Sequence, residues 1–312
     1  MTLLALKVDV DTWRGTREGV PRLLDVLQRH GAGATFLFSL GPDHTGRAVT
    51  RVFRPGFMRK VSRTSVLEHY GLRTLLYGTL LPGPDIGRRE AALLREVRRA
   101  GFEVGIHTWD HVRWQDQVAT RDQAWTRREM GKAVQRFTEV FGIAPRTHGA
   151  AGWQMNGCAY ALEREFGFAY ASDVRGVHPF QPVDDQGRCL GVPQLPTTLP
   201  TLDELIGTGG LTAHTVDRHL LALTEDEPVH GHVYTLHAEL EGLKLRDSFE
   251  RMLAGWKAQG YELVSLETMF ARIPPRSLAH HHVRVGEIPG RSGSVALQGA
   301  LAGPGGGISS SP

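Results

Sequence analysis

The sequence predicts an α/β protein whose parallel strands close into a distorted barrel of seven or eight β/α units. Three observations predict it. Short apolar runs alternate with helical patterns from residue 3 to about residue 275, the signature of a parallel sheet covered by helices. Asp9, His107, Asp173 and His237 fall at or just after the ends of such runs, and in a parallel barrel those ends share one face. At 312 residues the chain is long enough for one barrel-sized core. A doubly wound open sheet is the architectural alternative.

The elements follow in order. Leu3-Leu4-Ala5-Leu6-Lys7-Val8 is the first apolar run and leads into Asp9-Val10-Asp11. Val20, Leu23, Leu24 and Leu27 then recur at helical spacing, with Gly31 as the C-cap. Ala34–Phe38 reads as the second strand. Residues 88–100 read as a helix through Leu93, Leu94 and Val97, closed by Gly101. Phe102–Ile106 is the next strand and runs into His107-Thr108-Trp109-Asp110-His111. Thr120 is positioned to cap a long helix with Met130, Ala133, Val134, Phe137 and Phe141 on its buried face. Further strands are expected near 146–150, 168–172, 191–195, 232–237 and 261–264, with helices at 156–166, 212–224, 244–259 and 265–273. Two segments break the alternation. Residues 43–85 form an insertion within a domain spanning 1–275, and residues 276–312 are expected to be a disordered tail, rich in Gly, Ser and Pro from 286 onward. His280-His281-His282 read as a solvated run.

Composition narrows the class. The formal net charge is only +3, but Arg47, Arg51, Arg54, Arg59, Lys60 and Arg63 crowd into one stretch without an acid. Val49, Val52, Phe53, Phe57, Met58 and Val61 interleave with them, a pattern that suits an anionic membrane surface. No nucleic-acid motif accompanies it, so no nucleic-acid partner is expected. Cys158 and Cys189 are the two cysteines, too few for a disulfide scaffold and consistent with a reducing compartment. No signal peptide is read at the N-terminus, and no apolar run reaches the ~18 residues of a membrane span.

The residues that carry chemistry lie far apart in sequence. Asp9 and Asp11 are two apart on a strand and so point to the same side. Adjacent carboxylates repel unless a cation lies between them or one is protonated. His107 and His111 have the spacing of i and i+4 in a helical turn, where both imidazoles can hold one metal. One Asp and two His form a mixed N/O site with open positions, and the second Asp suits a general base. Either carboxylate can take either role. Zn, Mn, Fe and Co suit this donor set almost equally. His237, at the end of Val233-Tyr234-Thr235-Leu236, suits a general acid because imidazole titrates near neutrality. Asp173 is a candidate to orient His237, and Arg175 a candidate to pair with a site carboxylate or a substrate phosphate. Glu239 and Glu241 are further candidates to orient His237 or to touch substrate.

The set Asp9-Val10-Asp11, His107-x3-His111 and Leu236-His237 resembles the polysaccharide deacetylase (NodB-like) family. The resemblance is closer to a branch that removes a formyl group from an aminoarabinose carried on undecaprenyl phosphate. The blocks that carry it are Arg14-Gly15-Thr16-Arg17-Glu18-Gly19, Gly41-Pro42-Asp43, Ala150-Ala151-Gly152-Trp153, Ser172-Asp173-x-Arg175-Gly176, Leu195-Pro196-Thr197-Thr198-Leu199-Pro200-Thr201 and His237-Ala238-Glu239-x-Glu241-Gly242. It implies a distorted barrel, a divalent metal on Asp11, His107 and His111, Asp9 as base and His237 as acid. It also implies a lipid-linked formamido sugar as substrate, lipid A modification and cationic-peptide resistance as the context, and a peripheral place on the cytoplasmic face of the inner membrane. There are departures. Where the wider family has an Arg-x-Pro-x-Gly segment whose Arg pairs with the catalytic Asp, this chain reads His148-Gly149-Ala150-Ala151-Gly152-Trp153-Gln154, and Arg175 is the candidate substitute. Asp-Val-Asp also replaces the adjacent Asp-Asp of most relatives.

Overall fold

The structure, a computed structural model, describes residues 1–48, 74–226, 228–274 and 277–302. The chain runs β1 (Leu3–Val10), a π-helical turn (Gly15–Gly19), α1 (Val20–Arg29), β2 (Thr35–Ser39), α2 (Ile86–Arg89), α3 (Ala91–Arg99), β3 (Glu103–Thr108), α4 (His111–Gln117), α5 (Gln123–Phe141), β4 (Thr147–His148), α6 (Gly157–Glu165), β5 (Tyr170–Ala171) and β6 (Phe180–Val183). It continues through α7 (Leu202–Leu205), α8 (Val216–Ala222), β7 (His232–His237), a second π-helical turn (Leu240–Lys244), α9 (Arg246–Ala258), β8 (Glu262–Val264), α10 (Leu266–Ala271), β9 (Ala279–Gly286) and β10 (Val295–Leu301).

The main sheet is parallel, in the order β5-β4-β3-β2-β1-β7, with β8 paired to the first half of β1. β1 is buried from Leu4 to Val10, yet its two faces do different work. Leu4, Leu6, Val8 and Val10 pack into the main core with Val20, Leu23 and Leu27 of α1. Ala5 belongs instead to a separate cluster with Tyr170, Leu195 and its own register partner Val233 on β7. Period-two alternation therefore turns Ala5, Lys7 and Asp9 toward the interior of the barrel.

The barrel closes without a regular strand. The segment expected as a strand at 191–195 forms instead single hydrogen bonds on either side. Ala171 N–H donates to Pro193 O (2.9 Å) and Leu195 N–H to Ala171 O (2.8 Å), while Thr198 N–H donates to Val233 O (3.0 Å). Pro193, Pro196 and Pro200 explain the irregularity, since each removes a ladder donor. The structure thus has the curled, distorted (β/α) barrel that the sequence predicts, with an irregular closing wall.

The expectation of a disordered tail is corrected for residues 277–302, while 303–312 lie outside the described residues. β9 and β10 pair antiparallel, and β9 pairs parallel with β6, giving a second, three-stranded sheet. Val295, Ala296 and Leu297 are buried, which the Gly/Ser composition around them concealed. His281 is part of β9, its Nδ1 bonded to Gly299 O (2.9 Å), and is not a freely solvated residue. Of the insertion expected at 43–85, residues 49–73, with most of the basic stretch, lie outside the described residues. Among the described residues no helix is long and apolar enough to cross a membrane.

Candidate active site

Asp9, Asp11, His107, His111 and His237 converge at the C-terminal end of the barrel. Asp9 is the penultimate residue of β1, and its register partner on β7 is His237. Asp11 follows β1 directly. Its Oδ1 lies 3.1 Å from His107 Nε2 and its Oδ2 lies 3.4 Å from His111 Nε2. The His107 and His111 rings are 5.3 Å apart. They do not share one helical turn, as their spacing suggested. His107 belongs to the end of β3 and His111 opens α4, whose N-cap, Asp110, accepts from Arg113 N–H (3.1 Å).

These three residues fit a divalent metal. His107 Nδ1 donates to Gly149 O (2.6 Å), which leaves Nε2 as the free lone pair facing Asp11. Asp11 Oδ1 is buried and makes no hydrogen bond of good geometry. Burial works against the Asp11 charge, but His111, His107 and His237 hold its carboxyl well below the usual range. An acceptor-only group that stays ionised beside two imidazole nitrogens is what a hard-to-borderline cation requires.

Glu239 sets the position of Asp11. Its Oε1 accepts from Asp11 N–H (3.2 Å), Thr12 N–H (2.8 Å) and the Thr12 hydroxyl (2.7 Å). Burial and the neighbouring Asp11 charge push Glu239 up to about 8 against those donors. This close seating explains Gly15, because a Cβ there would lie 1.9 Å from Glu239 Oε1. Gly19 is held to the same rule by Ala238 O, 2.1 Å from its would-be Cβ. The two glycine-bearing motifs read from the sequence therefore mark one packing surface, π-helical turn against π-helical turn.

Glu241 meets His237 at its backbone. It accepts His237 N–H (2.9 Å) on one oxygen and the Tyr234 hydroxyl (2.9 Å) on the other. His237 Nδ1 is buried without a partner. Burial opposes a charged imidazole there, yet Asp11, Asp203, Glu241 and Asp9 together push His237 up to about 9. It is a ring ready to carry a proton.

Two expectations are corrected. Asp173 does not reach for His237. It is fully buried beneath the site and accepts from His148 Nδ1 (2.7 Å), Ala150 N–H (2.7 Å) and Gln194 Nε2 (3.1 Å). Burial opposes its charge, but His148 and the donors around it bring Asp173 down to about 2. Glu163, buried beside it, is pushed well above the usual carboxylate range by burial and by the Asp173 charge. This network pins the β4 loop and so the Gly149 carbonyl that orients His107. His148, Glu163 and Asp173 lie close enough to be a second candidate metal group. A protonated Glu163 and the bonds to Gln194 explain the group without a cation.

Arg175 does not pair with Asp9. Its Nη1 lies 2.8 and 2.9 Å from the two Glu204 oxygens, and its Nη2 donates to Leu199 O (3.0 Å). The cation at Asp9 is Lys7. Its Nζ is 3.4 Å from Asp9 Oδ2, donates to Ser172 O (3.0 Å) and sits 5.3 Å over the Trp153 ring. Sequence reading missed Lys7 because it lies inside an apolar run. The signal was there: a lysine at a fully buried position of a strand, on the same face as Asp9, requires an anion.

Residues 4–171 match the family described as Polysaccharide deacetylase. The chain belongs to that family. It is 37% identical over 267 residues, 85% of each chain, to the "Probable 4-deoxy-4-formamido-L-arabinose-phosphoundecaprenol deformylase ArnD" of Shewanella sediminis (strain HAW-EB3). It is 31% identical over 291 residues, 91% of this chain and 98% of the relative, to the protein of the same name from Wigglesworthia glossinidia brevipalpis. Among solved structures, a putative polysaccharide deacetylase from Mycobacterium smegmatis superposes with a TM-score of 0.61 at 18% identity, covering 92% of this chain and 96% of that one. That likeness extends to the fold, and it supports the deacetylase-type barrel.

Proposed function

We propose that this deacetylase-family chain hydrolyses the formamide of 4-deoxy-4-formamido-L-arabinose carried on undecaprenyl phosphate, releasing formate and the 4-amino sugar. The observation that carries the reading is the gathering of Asp9, Asp11, His107, His111 and His237 at one barrel mouth. It occurs in a chain aligned over most of its length with proteins named for that deformylation.

Asp11, His107 and His111 would hold a divalent metal, which supplies Lewis-acid polarisation of an amide oxygen and lowers the pKa of water. Asp9, two residues before Asp11 and held by Lys7, accepts the proton of the attacking water. His237, on the same rung as Asp9, gives a proton to the sugar nitrogen as the C–N bond breaks. Water and formamide become formate and amine, with one proton taken up at Asp9 and one given by His237. The lipid on the substrate places the reaction at a membrane surface, and a peripheral place on the cytoplasmic face of the inner membrane suits it.

The test is mass spectrometry of the formamido-arabinose phospholipid after incubation with metal-loaded protein, beside an Asp11→Ala control. Loss of one formyl group, absent in the control, supports the reading. An unchanged lipid with metal bound at full occupancy rejects formamide as the substrate, and an N-acetylated sugar tested in parallel then reports a deacetylase.

A further inference from the structure

Arg291 stands in the loop between β9 and β10, outside every motif used so far. The loop is firmly seated. Gly290 has a φ of 77°, and a Cβ there would lie 2.2 Å from Glu204 O. The Arg291 guanidinium is stacked 4.7 Å from the centre of the Trp153 ring, and its side chain is only 11% exposed. Its hydrogen bonding to protein is sparse for a buried cation: Nη2 donates to Gly152 O at 3.3 Å. Glu204, 3.8 Å away, is already engaged by Arg175 at 2.8 Å and by Thr201 N–H at 3.1 Å. Burial works against the Arg291 charge, while the Asp203 and Glu204 carboxylates support it. A buried guanidinium normally has its own carboxylate, since its planar fork loses most when left unmatched.

The indole beneath it is held under strain. Trp153 has a φ of 54°, the one non-glycine residue with positive φ among those described, and follows Gly152 at 62°. Such strain collects where a side chain must be aimed. Trp153 is aimed between cations: Lys7 lies 5.3 Å and Arg175 4.9 Å from its ring centre. Lys7 in turn touches Asp9, so Trp153 and Lys7 link Arg291 to the proposed base.

We infer that Arg291 holds the phosphodiester of the lipid-linked sugar, its free guanidinium donors taking two non-bridging phosphate oxygens while the formamide lies at Asp9 and His237. This rests on the proposed function and names the group that recognises the substrate's phosphate. The planar fork matches two phosphate oxygens, and stacking on Trp153 pre-orients it. The competing account is a purely structural staple joining the hairpin to Glu204.

Two measurements on the full-length, metal-loaded protein test it. The first is calorimetric binding of methyl geranyl phosphate, beside inorganic phosphate, to wild type and to Arg291→Gln and Arg291→Lys. It needs no turnover. Wild type should bind the diester, with Arg291→Gln weakened about 10- to 100-fold, as for a lost hydrogen bond to a charged group. Arg291→Lys should fall between them. The second is the ratio of kcat/KM for the prenyl phosphodiester sugar over the methyl glycoside of the same formamido sugar. That ratio should fall by a similar factor in Arg291→Gln, mainly through KM. Equal diester binding by wild type and Arg291→Gln overturns the inference. So does inorganic phosphate binding as tightly as the diester, which indicates an ion site and not a lipid-phosphate site. If Arg291→Gln does not fold, Arg291→Lys decides alone: weakened diester binding supports the inference and unchanged binding rejects it. Arg291-dependent diester binding without release of formyl from either sugar rejects the deformylase reading and leaves the phosphate site standing.

Discussion

Asp9 and His237 occupy the same rung of the ladder between β1 and β7, and Ala238 N–H closes that rung on Asp9 O at 3.0 Å. Residues paired across adjacent parallel strands project to the same face. The proposed base and acid are therefore neighbours fixed by backbone pairing, although they lie 228 positions apart in sequence. Replacing His237 with Ala should lower kcat by about 10²- to 10⁴-fold, the range for general acid–base catalysis. Metal content should stay near wild type, because His237 is not among the three proposed ligands. Kinetics and metal analysis on the same preparation check both. Full activity would remove its role as acid.

Lys7→Met should leave the Asp9 carboxylate buried without its cation. The carboxylate is then free to turn away from the barrel mouth, so kcat/KM should fall, with a stability loss of about 3–5 kcal/mol from the broken buried pair. Lys7→Arg should restore most of both. A kcat/KM equal to wild type in Lys7→Met would rule out Lys7 as the group that positions Asp9.

Gly15→Ala should disturb the metal site without altering a ligand. The added methyl meets Glu239, which then cannot hold Asp11 and Thr12. Overpacking of this kind costs about 1–3 kcal/mol. Metal affinity should drop, as seen by competition with a chelator. Affinity equal to wild type would show that Glu239 does not set Asp11.

Buried Glu163 gives a pH signature in stability. Its folded-state pKa is raised, so the native state holds a proton that the unfolded chain releases above the ordinary carboxylate range. Stability then falls as pH rises beyond that range, by at most ~1.4 kcal/mol per pH unit for one proton. Glu163→Gln keeps the shape and removes the titration. Its melting temperature should gain on wild type as pH rises above the ordinary carboxylate range. A difference that stays constant as pH rises counts against a raised Glu163.

The basic stretch makes a prediction from sequence alone. Charge reversal at Arg59 and Lys60 should weaken binding to anionic vesicles, as read by co-sedimentation. Unchanged binding rejects the stretch as a membrane contact.

Much of this protein was legible in the chain itself. Alternation of apolar runs and helical spacing was enough for the parallel barrel, because a strand buried on both faces and an amphipathic helix leave different periods in the sequence. Asp9, Asp11, His107, His111 and His237 were legible because acids and histidines at strand ends stand out against apolar neighbours. Which partner each side chain meets was settled only by the tertiary structure. Lys7 looked like an interruption of an apolar strand until the barrel turned it toward Asp9. Asp173 and Arg175 looked catalytic beside their motif, yet packing gave them to His148 and Glu204. Val295–Leu301 looked like part of a disordered tail because glycine and serine surround a short apolar run, and only pairing with β9 shows that Val295, Ala296 and Leu297 are buried. Periodicity is a local property, so sequence carries it. Charge pairing in a low-dielectric interior depends on distance between residues remote in the chain, and only the fold sets that distance.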